Sequence, residues 1–265
     1  MSTAPVGVFD SGVGGLSVLR AIRQELPHED LLYVGDSGWA PYGDRSRDFV
    51  TERAETMTRF LVGQGAKAVV VACNTATAIA VESLRARFAV PIVAIEPAVK
   101  PAASRTRSRI VGVLATTGTL SSPNMAKLLA NFGNDVEFLV QPCPGLADLV
   151  ESGELASEKT RLLVKRYVRP LIDKGADILV LGCTHYPFLA PLIQEIAGPG
   201  VDVIDPATAV ARELRRRLEN ANLLRDDAGP GAERFWTTGE VEVVGPIVEQ
   251  LWGTKATVVP LGESA

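Results

Sequence analysis

The chain is poor in the residues that build metal centres and disulfide frameworks. It holds three cysteines and two histidines, His28 and His185. These form no ligand pair at a recognisable zinc spacing, and three thiols are too few for a disulfide scaffold. Neither a metal site nor a stapled fold is expected. A basic excess is also missing: 27 lysines and arginines stand against 31 acidic residues, a net charge of −4. No electrostatic footprint for nucleic acid follows from that balance. No apolar run approaches the roughly 20 residues needed to span a bilayer. The opening MSTAPVGVFDSG lacks a charged n-region and a long apolar h-region, so no secretory signal is expected. These absences point to a soluble cytoplasmic protein with reduced thiols and neither a nucleic-acid nor a membrane partner.

What is present is repeated. Residues Ala68 to Thr77 read AVVVACNTAT: an apolar, valine-rich run ending at Cys73 and a small polar turn. Ile178 to Pro187 read ILVLGCTHYP, a second such run delivering Cys183. Both have the pattern of a buried parallel strand ending at a loop. The turns Glu96-Pro97-Ala98 and Asp205-Pro206-Ala207 keep nearly the same separation as the two cysteines. Other strands are predicted at 6–9, 31–34, 91–95, 109–114, 136–140 and 201–204. Helices are predicted at 16–26, 46–62, 76–87, 121–132, 145–151, 157–174, 188–196 and 210–220. The tail adds short strands at 235–237 and 257–259 around a helix at 242–252. The charged stretch from Arg212 to Arg217 reads as a solvated helix face.

Strands alternating with helices predict a mostly parallel sheet covered on both faces. The fold class is therefore α/β: two similar domains with mostly parallel sheets, related by a pseudo-twofold axis, with the active site in the cleft between them. The expected division is 1–97 plus 207–265 for the first domain and 98–206 for the second.

Ligands of open α/β sheets bind at the carboxyl ends of the strands, where Cys73 and Cys183 would sit. Two thiols approaching one cleft from opposite sides suit one reaction class. One takes a proton from a carbon while the other returns a proton to the opposite face. A free thiol has a pKa of about 8.5, so modest tuning supplies either form, and nearby loop and helix N–H groups favour the thiolate. The carbanionic charge needs oriented donors, and Asn74, Thr75 and Thr184 are placed to act. The plainer alternatives stay open on spacing alone. A buried cysteine is usually a small apolar core residue, which is how Cys143 in QPCPG reads. Asp10 and Ser11 suit a helix N-cap, His185 suits a packed core and Glu151 a helix end. The loop FDSGVGGLS carries Gly12 and Gly14 at dinucleotide-binding spacing, but Ser17 occupies the third glycine position. Close backbone approach there would equally suit a small carboxylate.

FDSGVGGLSV, APYG, VACNTAT and LGCTHYP, in this order, resemble the glutamate racemases of the cofactor-independent aspartate/glutamate racemase superfamily. The resemblance runs from Val6 to the FWTTGE stretch near Phe235. It implies interconversion of L- and D-glutamate without pyridoxal phosphate or another cofactor, supplying D-glutamate for peptidoglycan. It implies Cys73 and Cys183 as the catalytic acid/base pair, assisted by Asp10 and His185, with Glu151 as a further catalytic carboxylate. Substrate contacts are implied at Asp10, Ser11, Tyr42, Gly43, Asn74, Thr75, Thr184 and His185, with a threonine loop at Thr116 to Thr119. A homodimer is implied as well. An aspartate racemase, a non-catalytic binder of acidic amino acids and a nucleotide-dependent reductase are the competing readings.

Overall fold

The computed structural model describes residues 2–133, 135–225 and 229–262. The outermost residues of the expected first domain, 1 and 263–265, lie outside them. The chain begins with β1 (Val6–Asp10), α1 (Leu16–Glu25), β2 (Leu31–Gly35), α2 (Arg47–Gly63), β3 (Ala68–Val71), α3 (Asn74–Arg87) and β4 (Ile92–Ala94). Helix α4 (Val99–Arg105) follows. Next come β5 (Ile110–Ala115), α5 (Thr117–Leu120), α6 (Pro123–Phe132), β6 (Glu137–Pro142), α7 (Leu146–Glu151), α8 (Glu158–Asp173), β7 (Ile178–Gly182), α9 (Ala190–Ala197) and β8 (Asp202–Ile204). The tail contributes α10 (Ala207–Asn220), β9 (Glu233–Thr237), α11 (Val241–Trp252) and β10 (Val258–Pro260).

Two all-parallel sheets result. One has the order β10-β9-β2-β1-β3-β4 and the other β6-β5-β7-β8. The second order repeats the β2-β1-β3-β4 core of the first, so β3 and β7 occupy equivalent positions. Strands β9 and β10 extend the first sheet beyond β2, which leaves the repeat unequal in size. The central strands of both sheets are buried on two faces. Val69 and Val71 of β3 face the α2 and α3 side, packing with Met57, Leu61 and Leu84. Ala68 and Val70 face the other side, packing with Leu16, Leu19 and Leu214. In β7, Leu179 and Leu181 join that same large core, while Ile178 and Val180 pack with Met125 and Ala102. The two-residue side-chain period divides each apolar run between two helical layers, which is why the runs contain no polar positions.

Local chemistry sets the helix starts. Ser46, Ser122 and Ser157 cap α2, α6 and α8, each accepting a backbone N–H three residues on. Two expectations need correction. The threonine loop is largely helical: Thr116 caps α5, so the predicted 121–132 helix is preceded by a separate turn of helix. Helix α4 lies where no element was predicted, because its Pro101 and short span hide an amphipathic pattern that buries only Val99 and Ala102. The arginine face of α10 is as expected: Arg215, Arg216 and Arg217 are exposed and pair with glutamates. No helix among the described residues is long and apolar enough to cross a membrane.

Candidate active site

Cys73 stands two residues beyond β3, with extended backbone, as the N-cap of α3. Its Sγ accepts the Ala76 N–H at 3.4 Å and lies 3.7 Å from Ser11 Oγ. These are the N–H and hydroxyl contacts expected to favour a thiolate. The net effect is the opposite: burial pushes the Cys73 thiol up, the Asp10 carboxylate adds to it, and the donors offset only part. Desolving a small anion outweighs the few donors at one helix start. Burial therefore favours the thiol form of Cys73 over the thiolate.

Cys183 follows β7 directly and has a different partner. Its Sγ lies 3.5 Å from His185 Nδ1, and His185 Nε2 lies 2.5 Å from Glu151 Oε1. Glu151 Oε1 also accepts the Val13 N–H at 2.8 Å. Sulfur, imidazole and carboxylate thus form a chain, the carboxylate fixing the ring's orientation. Burial disfavours the imidazolium, but Cys183 and Glu151 outweigh it and hold His185 well above its ordinary value. The buried Asp10 stands behind the cavity. Its Oδ2 accepts the Gly15 N–H at 2.8 Å, and the Thr184 hydroxyl reaches its Oδ1 at 3.4 Å. Burial raises its pKa, against the attraction of His185 and with the repulsion of Glu151.

The glycine loop after β1 has a steric reason distinct from nucleotide binding. A Cβ at Gly12 would overlap the Glu151 carboxylate, and one at Gly14 would overlap the His185 ring. The loop is bare because two side chains carried by the second sheet's connections lie against it. The space that suggested a ligand carboxylate holds the protein's own carboxylate. Ser17, the residue in the third glycine position, donates its hydroxyl to the Thr184 carbonyl at 2.9 Å, and Tyr33 holds the Gly12 carbonyl at 2.6 Å.

Cys73 and Cys183 line one small, nearly closed cavity of about 10 Å³. Ser11, Tyr42, Gly43, Asn74, Thr75, Thr184 and His185 line it too, so of the predicted site residues only Asp10 and Glu151 stand behind the surface. Pro41, Thr116 and Ala147 complete it. Both polar ends of the buried Asn74 side chain lack a partner, which leaves a donor and an acceptor for a ligand. Thr75 joins Thr116 at 3.1 Å and Thr119 at 3.3 Å, tying α3 to the α5 turn. No lysine or arginine lines the cavity. Cys143 is a buried core residue whose thiol lies 3.2 Å from the Gln141 carbonyl, outside the cavity. The sequence reading missed Asp36, which accepts the Tyr42 hydroxyl, and Arg53, which pairs with Asp36. The available signal was a carboxylate just beyond β2, in the position Asp10 takes at the end of β1.

Two parallel α/β sheets each bring one thiol to a shared cavity, with an imidazole–carboxylate pair behind one of them, an arrangement suited to paired acid–base chemistry. Known proteins carry the same plan. The family model described as Asp/Glu/Hydantoin racemase matches residues 7–214. A glutamate racemase of Methylococcus capsulatus is 54% identical over 257 residues, covering 97% of this chain and 95% of that protein. A glutamate racemase isoform of Bacillus anthracis superposes with TM-score 0.89 at 35% identity, covering 98% of each chain. A Francisella tularensis glutamate racemase, solved in complex with D-glutamate, superposes with TM-score 0.84 at 30% identity, covering 98% of each chain. The chain belongs to the Asp/Glu/hydantoin racemase family.

Proposed function

We propose that the protein is a glutamate racemase that exchanges the Cα proton of glutamate between two sulfur atoms, without pyridoxal phosphate. The observation that carries this reading is the delivery of Cys73 and Cys183, from equivalent strands, to one cavity. One sulfur removes the Cα proton as thiolate while the other, as thiol, protonates the opposite face. The resemblance of the motifs assigns the proton of D-glutamate to Cys73, which leaves that of L-glutamate to Cys183.

The His185 charge, backed by Glu151, balances a thiolate at Cys183 3.5 Å away. Ser11, Asn74, Thr75 and Thr184 offer neutral donors to the substrate carboxylates. A cavity lined without arginine avoids overstabilising the ground-state carboxylates, so more of the binding energy develops as charge moves to Cα. D-glutamate made this way would supply peptidoglycan synthesis in the cytoplasm, by a homodimeric enzyme. The two-domain division at 1–97 plus 207–265 against 98–206 is supported by β9 and β10 extending the first sheet. Incubation with L-glutamate and, separately, L-aspartate while following optical rotation tests the assignment. Decay of the glutamate signal alone is expected; decay of the aspartate signal alone would reassign the substrate.

A further inference from the structure

Asp36 directly follows β2, and its side chain is completely buried. Four donors converge on it. The Tyr42 hydroxyl donates to Oδ2. Arg53 of α2 donates from Nε to Oδ2 at 2.9 Å and from Nη2 to Oδ1 at 2.7 Å. The Thr238 hydroxyl reaches Oδ1 at 2.8 Å. Neither Asp36 nor Arg53 touches the catalytic cavity, but Tyr42 and Gly43 line it. The structure therefore places an ion pair, between the buried Asp36 and a partly exposed Arg53, behind the residues that line the cavity.

That wall is tightly held on its far side as well. A Cβ at Gly118 would come within 2.5 Å of the Gly43 carbonyl oxygen, and one at Gly43 within 3.1 Å of Thr116 Cβ. The 42–43 segment thus fills the gap between β2 and the α5 turn with no slack. Arg53 also lies over the Trp39 ring at 5.4 Å, and Phe49 meets both Trp39 and Tyr42 edge-on. The planar fork of Arg53 fixes the carboxylate, and the carboxylate fixes the phenol. With its hydroxyl committed to Asp36, Tyr42 presents its ring and backbone to the cavity. Arg53 offsets the Asp36 charge.

We propose that Asp36 and Arg53 are positioning residues that clamp Tyr42 and Gly43 as the roof of the cavity against the Thr116–Gly118 turn, and so set affinity for the amino-acid substrate. This rests on the racemase reading above. The hydrogen bonds of Cys73, Cys183 and His185 involve neither Asp36, Arg53 nor Tyr42, so loss of the clamp falls on binding rather than on proton transfer.

Tyr42→Phe removes one hydroxyl and keeps the ring, Arg53→Lys keeps the charge without the fork, and Arg53→Met removes both. Each is assayed for racemisation in both directions, for glutamate binding by calorimetry and for thermal unfolding. Tyr42→Phe is expected to raise KM and Kd about tenfold, the loss of one buried hydrogen bond. Its kcat and the pH profile of kcat should stay within about threefold of wild type. Arg53→Lys should recover part of the affinity that Arg53→Met loses. Unchanged KM and Kd in folded Tyr42→Phe would overturn the proposal, and so would a kcat collapse at unchanged Kd. A wild-type protein that binds glutamate without racemising it would sink the function reading alone, and the Kd comparison would still decide the clamp.

Discussion

The ring of His185 occupies the place where a side chain on Gly14 would begin. His185 belongs to the connection after β7 and Gly14 to the loop after β1, so this contact joins the two sheets' connections at the cavity. Gly14→Ala should push the imidazole off Cys183 Sγ and Glu151 Oε1. Because a positioned acid–base partner contributes on the order of 10²–10⁴-fold, turnover should fall by about 10²-fold or more. Racemisation assays with a thermal melt as control check this. A folded Gly14→Ala protein with wild-type turnover would show that the Cys183–His185 contact has no catalytic part.

The charge on Asp10 opposes a thiolate at Cys73. Removing it in Asp10→Asn lowers the Cys73 pKa, so at a fixed pH below that pKa a larger fraction is thiolate. Alkylation by iodoacetamide, mapped to the Cys73 peptide, should therefore run faster in the variant, about tenfold for each pKa unit recovered. Slower alkylation would mean that Asp10 promotes the thiolate, and the sign assigned to it would be wrong.

Asp177, just ahead of β7, accepts the Thr106 hydroxyl at 2.5 Å and the Arg107 and Ser108 N–H groups at 2.7 and 3.0 Å. Burial opposes its charge, but these donors outweigh it and hold the carboxyl at about 2. A depressed folded value stabilises above the unfolded value of about 3.9, and that contribution is lost as pH falls through the folded one. Allowing for solvent screening, Asp177→Ala should cost about 1–2 kcal/mol at pH 7. Urea unfolding at pH 7 and at pH 2 measures the difference. The gap between wild type and variant should shrink at the lower pH; a gap that widened there would refute the linkage.

The strand pair carrying Cys73 and Cys183 was legible because strands buried on both faces leave unbroken apolar runs. The equivalence of β3 and β7 followed from the repeated landmarks. Helix α4 was not legible, since two buried side chains in a short segment with an internal proline make no periodic signal. Ser11, Asn74 and Thr184 could be placed because each lies within three residues of a strand end. Glu151 was named only through the motif resemblance, and its pairing with His185 was not foreseen, since the two come from different connections of the chain. Asp36 and Arg53 stand on different elements, and their pairing depends on how α2 packs over β2. The glycines of the first loop were visible, but their reason was not: it is steric, and the atoms that cause it lie far away in sequence.

The central claim is that two sulfurs flank one carbon. The most direct test is incorporation of solvent deuterium at Cα, followed by NMR or mass spectrometry, with each glutamate enantiomer and with wild type, Cys73→Ser and Cys183→Ser. Wild type should label the Cα of both enantiomers, while either serine variant should lose racemisation by about 10²-fold or more and still bind glutamate. Deuterium uptake at the wild-type rate in either serine variant would contradict the account.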